Sequence, residues 1–511
     1  MKIWIAVLLV LTGLAYAGLF LSLSNPPFTD GPNHFARAVI MKSLWFDAHS
    51  PFQGNFSASR SFMPYILPDL GFILLIGQLG AERAYPVWSM LSMLSLALGV
   101  WVYARQLLET SWAMAAAMLF SWYFATNYFF IQGFFSFQWG LAAAFVALGA
   151  LDAWRREKTS WWIVLYWIAC FACYGAHMAC FAILAGMAGA TGLARIYRKE
   201  QTPKEQTPKE QTWMRLAWEL LPFAILCACL LPLVPAHPAA AGGRMIDRDK
   251  ISGKFVHLLE AMFVRQNFVL DRTILVLFGV ILVGAIWFGV RRHVDLRRHW
   301  QLALVAGLAL ALYFALPFGI GTIAYVDQRA LPFLYVALTM LALRIFESAG
   351  PSRRQIAILI AASFLLAAAN LGSLARFLPR QSRQVAEYRQ AIASISEGRM
   401  VLSIDAQPPD GYTWPLRHVG SFYAADRNGY TPYLFSQLNG SGPSGYFLDL
   451  SPLYRPDQNW YLRNKPLDWE KVFQTYDYVI ITKPWRPERL DLSRLEVCYE
   501  NAAATVFRVR R

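Results

Sequence analysis

Residues 3–23 read IWIAVLLVLTGLAYAGLFLSL, and residues 25–42 follow as NPPFTDGPNHFARAVIMK. The first stretch is long enough to cross a bilayer, which takes about 20 predominantly apolar residues. The second changes character at once. If a helix starts near Asp30, the i, i+4, i+7 spacing puts Asp30, His34 and Arg37 on one face. A carboxylate, an imidazole and a guanidinium at a membrane surface read as a reaction site rather than a linker. Lys2 and Ala15-Tyr16-Ala17 also resemble a cleavable signal peptide. The apolar run continues to Leu23, which favours an uncleaved span. Either way, Asp30 is delivered to the far side of the membrane.

The rest of the chain extends this pattern. Of 511 residues, 56% are hydrophobic and 15% charged, and the mean hydropathy is +0.35. A soluble domain carries about 25% charged residues, so the class is a polytopic α-helical membrane protein. Further spans are expected near 85–104, 112–131, 133–151, 216–234, 273–290, 300–318, 323–343 and 355–375. The stretch 161–194 reads as two short helices turning near Tyr174-Gly175. Residues 62–80 are apolar but interrupted by Pro64, Pro68 and Asp69.

Lys and Arg collect in cytoplasmic loops. Four groups obey that rule together if 62–80 lies along or dips into the outer leaflet: Arg155, Arg156 and Lys158; Arg195 to Lys209; Arg291 to Arg298; and Arg344 to Arg354. The result is about eleven spans over 1–375, with the N-terminus inside. It gives a first outer loop at 24–84, a cytoplasmic loop at 195–215 and an outer loop at 236–272. The net charge of +15 is then topological; no basic, aromatic-interleaved nucleic-acid motif is present. The repeat KEQTPKEQTPKEQT (199–212) is expected to be a disordered cytoplasmic loop. Five of the six cysteines fall in apolar runs, so neither a disulfide framework nor a zinc site is expected.

After residue 376 the apolar runs stop. Residues 383–397 suit an amphipathic helix, MVLSID (400–405) a strand, WEKVFQT a short helix, and YDYVIIT (476–482) a buried strand. LEVCYEN and ATVFRVR suit a closing hairpin. A small extracytoplasmic α/β domain over 376–511 is expected. No glycine-rich phosphate loop precedes its helices, which argues against a nucleotide site.

With this topology, polar residues from separate segments converge on one membrane face. Asp30, His34 and Arg37 are joined by Tyr65 and Asp69, by Gln132 and Gln138 of IQGFFSFQWG, by His177 of YGAHM, and by Asp327 and Arg329 of AYVDQRALPF. Such groups are costly at membrane depth and usually face a cavity or a partner. The outer segment 236–272 adds Arg244, Arg248, Lys250, Lys254, Arg265 and Arg272, which fits either an anionic ligand or anionic lipid. FVHLLEAMF (255–263) reads as an interfacial helix.

Each residue also has a plainer reading. Asp30 suits a helix cap before Pro32. Arg37 suits snorkelling to headgroups. His34 suits an exposed interfacial position and His177 a structural one, while Asp327 and Arg329 suit a local ion pair. Asp30 with His34 offers a divalent cation two ligands, few for a site.

DGPNHFARA, the IQGFFSFQWG turn and the DQRALPF helix entry resemble a bacterial branch of the GT-C superfamily of integral-membrane glycosyltransferases. In that superfamily an acidic residue of the first outer loop is the catalytic base, and the resemblance puts Asp30 there. It implies a polyprenyl-phosphate sugar donor, an extracytoplasmic acceptor and a place in the bacterial inner membrane. It also implies a juxtamembrane helix, for which 62–80 is the candidate. The paired Asp-Glu motif of better-known members is missing from this loop, which leaves metal use and acceptor class open. The residues suit the chemistry independently: a carboxylate to take the acceptor proton, and Arg329, Arg37 or Arg244 to steady the leaving phosphate. His177 and Gln138 suit sugar or phosphate oxygens. The rival readings are a transporter or flippase of a lipid-linked sugar, and a non-catalytic scaffold. No mid-span carboxylates or internal repeats favour the transporter.

Overall fold

The computed structural model describes residues 2–511 apart from 61, 202–208, 231–245, 248–250, 264–267, 321–324, 409–412, 435–436, 439–446, 452 and 458–459. Helix α1 (Lys2–Leu21) leads to α2 (Gly31–Phe46) and α3 (Ile66–Leu79). The bundle continues with α4 (Ala81–Leu107), α5 (Ser111–Ala125), the single turn α6 (Tyr128–Ile131), α7 (Phe135–Glu157), α8 (Ser160–Ala176), α9 (Met178–Gln201) and α10 (Lys209–Leu230). After α11 (Ile251–Glu260) come α12 (Phe268–Arg291), α13 (Trp300–Ala315), α14 (Leu331–Ser348) and α15 (Arg353–Ala393).

The expected apolar spans overlap observed helices, with 112–131 divided between α5 and α6, and the break inside 161–194 falls at His177. Among the described residues, seven helices are long and apolar enough to cross a membrane. Helix α3, with 14 residues, reaches only about 21 Å. It packs instead against α2, α4 and α8. Small residues allow the closest approaches: a Cβ on Gly99 of α4 would stand 2.6 Å from the Ala142 carbonyl of α7.

The two ends of the bundle differ in charge. Arg155, Arg156, Arg195, Arg298 and Arg344 line one cavity of about 370 Å³, so the basic loops do gather at one end. Helix α7 runs from that end to the other, where Phe135 meets the first loop. Residues 202–208 of the repeat, and Arg244, Arg248, Lys250 and Arg265 of the basic segment 236–272, lie outside the described residues.

One feature departs from expectation. The last span and the amphipathic helix after it form a single 41-residue helix, α15, opened by a capping box of Ser352 and Gln355. At about 60 Å it is longer than a bilayer is thick and carries the chain straight into the C-terminal region. There β4 (Val401–Ile404) runs parallel to β7 (Tyr478–Thr482). The hairpin of β8 (Leu495–Glu500) and β9 (Ala504–Val509) adds antiparallel to β7, giving the order β4-β7-β9-β8. Helix α17 (Trp469–Thr475) precedes β7, and α16 (Ser421–Arg427) rests on α2.

A second sheet ties the two regions together. Strand β1 (Phe56–Ala58) of the first loop pairs antiparallel with β6 (Phe447–Asp449), which carries β5 (Gln437–Leu438) in parallel. Phe56 stacks on Phe447 and Tyr430 with ring centroids 5.5 and 5.8 Å apart. The remaining pair, β2 (Ile246–Asp247) and β3 (Gly319–Ile320), is a short antiparallel bridge.

Candidate active site

Asp30 stands at the entry of α2, with Pro32 in the first turn, yet its side chain makes no capping hydrogen bond. Its backbone is held instead. The Asp30 amide donates to the Gln132 carbonyl at 2.8 Å. The IQGFFSFQWG turn presses so close that a Cβ on Gly133, whose φ is +81°, would stand 2.7 Å from the Gly31 nitrogen. Only glycine suits that position. The carboxylate is left for other work. Its Oδ1 lies 3.3 Å from His418 Nε2, and the Asp30 side chain keeps 13% of its surface exposed. Tyr128 is an electrostatic neighbour.

His34 and Arg37 lie on the same face of α2, as their spacing requires, but both are buried. Arg37 makes a bidentate pair with Asp69 of α3, through Nε at 2.7 Å and Nη2 at 2.9 Å, and the same Nη2 lies 3.0 Å from His34 Nδ1. It therefore neither snorkels nor stands open to a phosphate. Burial, Arg37 and His418 together hold the His34 pKa well below the usual imidazole range. His34 is thus neutral, with Nδ1 turned to the guanidinium.

Two further expectations are corrected. Asp327 does not pair with Arg329. Its carboxylate lies 3.0 Å from Lys254 of α11, both side chains being buried, and accepts the Gln328 amide at 2.8 Å. Lys254 also donates to the Tyr313 and Leu316 carbonyls at 2.9 and 2.6 Å. This buried lysine locks α11 to the end of α13. Gln138 is fully buried and donates to the Ala125 carbonyl at 2.6 Å, while its oxygen lies 3.4 Å from Asn127. It closes the α5–α7 turn.

Arg329 is different. It is buried on a 3-10 turn at the head of α14, and no acid pairs with it among the described residues. Its Nε has no hydrogen-bond partner, and the guanidinium carbon sits 5.9 Å from the centre of the Phe137 ring. His177 is a close neighbour. It too is buried, and its Nδ1 has no hydrogen-bond partner. The Tyr65 ring meets the His177 ring edge-on at 4.9 Å, from a backbone held at φ +75°. Arg329 and His177, two buried polar groups with atoms lacking partners, thus gather beside Tyr65. Such groups are few in native proteins and call for an explanation. The 132–138 turn touches both halves of the site: Gln132 holds Asp30, and Phe137 lies under Arg329.

An apolar groove of about 1050 Å³ is lined in part by chain neighbours of Tyr65 and His177. It runs between α1, α3, α4, α5, α7 and α8, is lined almost wholly by apolar side chains, and reaches Leu67, Pro68 and Ala176. Those residues adjoin Tyr65 and His177. Among the described residues no group of three or more His, Cys, Asp or Glu side chains comes together as a metal site.

Comparison with known proteins places this arrangement. No family model matches the chain, and no characterised protein matches it by sequence. Solved structures do match. ArnT from Cupriavidus metallidurans in the apo state aligns with a TM-score of 0.55 at 11% identity, over 99% of this chain and 97% of that one. The same protein bound to undecaprenyl phosphate gives 0.54, with the same identity and coverage. The chain shares the fold of that protein. The archaeal oligosaccharyltransferase AglB from Archaeoglobus fulgidus aligns more loosely, with a TM-score of 0.47 at 12% identity over 94% of this chain and 69% of that one. In this fold, the first loop after α1, the α5–α7 turn and the head of α14 meet at one end of the bundle beside the C-terminal region. His418 of that domain had no signal in the sequence. It sits in WPLRHVG, a loop without periodicity or motif, and only the tertiary fold brings it to Asp30.

Proposed function

We propose that this chain is a membrane glycosyltransferase that moves a sugar from a polyprenyl-phosphate donor to an acceptor outside the cytoplasm. The observation that carries the reading is Arg329, a buried guanidinium without an acid partner among the described residues, beside Tyr65 and His177, whose chain neighbours line an apolar groove between the helices. A prenyl chain suits the groove, and the phosphate it bears suits the arginine, whose planar fork matches phosphate oxygens. His177 lies beside the same place and suits a donor oxygen. The similarity to ArnT, solved with undecaprenyl phosphate bound, supports the donor class.

Asp30 is the base in this reading. Its carboxylate is not spent on capping and its side chain is partly open, as proton abstraction from an acceptor hydroxyl requires. The acceptor oxygen bonds to the anomeric carbon, the bond from that carbon to the phosphate oxygen breaks, and its electron pair leaves with the phosphate. The proton ends on Asp30. Arg329 steadies the phosphate as its charge grows. The Asp30 face lies outside the cytoplasm, because the arginine-rich loops occupy the other end of the bundle.

The test uses the purified full chain in lipid, radiolabelled undecaprenyl-phosphate mannose, glucose and galactose as donors, and an envelope extract as acceptor. Transfer by the wild type and a loss of roughly 100-fold or more in Asp30→Asn is the expected result. Undiminished transfer in Asp30→Asn removes the base assignment. If no donor yields product yet labelled lipid crosses the bilayer, the chain is a transporter.

A further inference from the structure

The C-terminal domain does more than sit above the membrane bundle. His418 Nε2 lies 3.3 Å from Asp30 Oδ1, and the two side chains are only 6% and 13% exposed. The polypeptide on either side of His418 is fastened to the polypeptide on either side of Asp30. The Trp414 amide donates to Thr29 Oγ1 at 3.2 Å, and Ser421 Oγ donates to Asn33 Oδ1 at 2.8 Å. Phe422 packs against Phe35 and Tyr85, with centroids 5.5 and 5.9 Å away. Arg389 of α15 reaches Asn25 Oδ1 at 2.6 Å while pairing with Asp426. Residues 25, 29, 30, 33 and 35 therefore each meet the C-terminal region, and His418 is the member of that contact aimed at the carboxylate.

The charged and titratable groups around this pair come from several elements. His34 faces His418 from α2 and is backed by Arg37, itself neutralised by Asp69. Tyr128 faces Asp30 from α6. Arg417, next to His418, lies over the Trp414 ring at 4.2 Å and faces Asp405. Tyr128 and the neutral His34 bring no formal charge, and Arg37 is already paired. His418 is thus the donor best placed to meet Asp30 Oδ1.

We propose that His418 is a positioning residue for the catalytic carboxylate: its Nε2–H holds Asp30 Oδ1, so the base is aimed only when the C-terminal domain is docked on the first outer loop. The inference rests on the reading of Asp30 as the base. It makes the extracytoplasmic domain part of the active site. When the acceptor proton arrives, the imidazole keeps its own proton and only the carboxylate is protonated.

Three variants separate this from simple docking. His418→Ala removes the donor, His418→Gln restores a side-chain N–H of similar reach, and Ser421→Ala loosens the same interface without touching Asp30. With the donors and extract above, His418→Ala is expected to lose roughly 10–100-fold in kcat, the scale of a misplaced catalytic group. The donor KM is expected to stay unchanged. His418→Gln recovers most of kcat and Ser421→Ala keeps it. The proposal is overturned if His418→Ala matches the wild type in kcat, if His418→Gln fails to recover it, or if Ser421→Ala behaves like His418→Ala. Asp30→Asn is assayed alongside. If it is inactive while His418→Ala is fully active, the base stands and the positioning role falls. If Asp30→Asn is fully active, both fall.

Discussion

A guanidinium moved out of water costs several kcal/mol unless a counter-ion and hydrogen bonds replace its hydration. Arg329 is buried, its Nε has no hydrogen-bond partner, and no acid pairs with it among the described residues. Natural sequences keep such strained side chains where activity needs them, and lose stability for it. Arg329→Met is therefore expected to shift two measurements in opposite directions. The melting temperature in detergent rises, because an unpaired buried charge is gone. The donor KM rises by roughly 10-fold or more, because a charge-assisted pair with phosphate is lost. A variant that melts lower and binds donor normally would mark Arg329 as structural. The residue was legible because a cation stands out in AYVDQRALPF. Its freedom was not, because the partner choice of Asp327 depends on where Lys254 of α11 comes to rest. The same holds for Arg37: its helical face follows from spacing, whereas its engagement by Asp69 follows from how α3 folds back.

Helix α3 is too short to span, and what holds it is the buried Arg37–Asp69 pair with α2. Removing one member leaves the other charge in a low-dielectric site, which typically costs about 3–5 kcal/mol, whereas a matched apolar pair is often neutral. Arg37→Ala is accordingly expected to lower the melting temperature sharply, and Arg37→Met with Asp69→Leu to restore most of it. Equal losses in the single and double variants would show that the pair does not carry the α2–α3 contact. The long apolar helices were legible because length and hydropathy alone define them. The strands of the C-terminal sheet were legible through their β-branched runs. Strand β1 was not, since three residues, FSA, offer no alternation to read and exist as a strand only against β6. Nor was the continuity of α15, because Pro379 and the change from apolar to polar sequence look like an end. The helix continues through both because its polar half packs on α16 and β9.

At the scale of the molecule, the loop after α1 and the C-terminal region form one body at one end of the bundle, joined by β1–β6, by Arg389 with Asn25 and by His418 with Asp30. The stability of that body has its own pH dependence. Asp405 lies just past the end of β4, where its Oδ1 accepts Thr482 Oγ1 at 3.3 Å and the Gln407 amide at 3.2 Å. Burial pushes its pKa up to about 6, against about 3.9 for a free aspartate. A folded-state pKa above the unfolded one means that the folded form holds the proton more tightly. The resulting stabilisation is complete below about pH 4 and is lost as pH rises through about 6. At neutral pH the fold therefore bears a buried charge that an amide would not impose, at a cost on the order of 2–3 kcal/mol for a two-unit difference. Asparagine keeps the Oδ1 acceptor and has no charge to bury. Asp405→Asn is expected to raise the melting temperature by several degrees at pH 8, with the gain shrinking towards zero as the pH is lowered to 4. A gain of the same size at both pH values would mean that packing, not ionisation, separates the two side chains. A loss at pH 8 would mean that the carboxylate has an electrostatic partner, with Arg417 the nearest candidate.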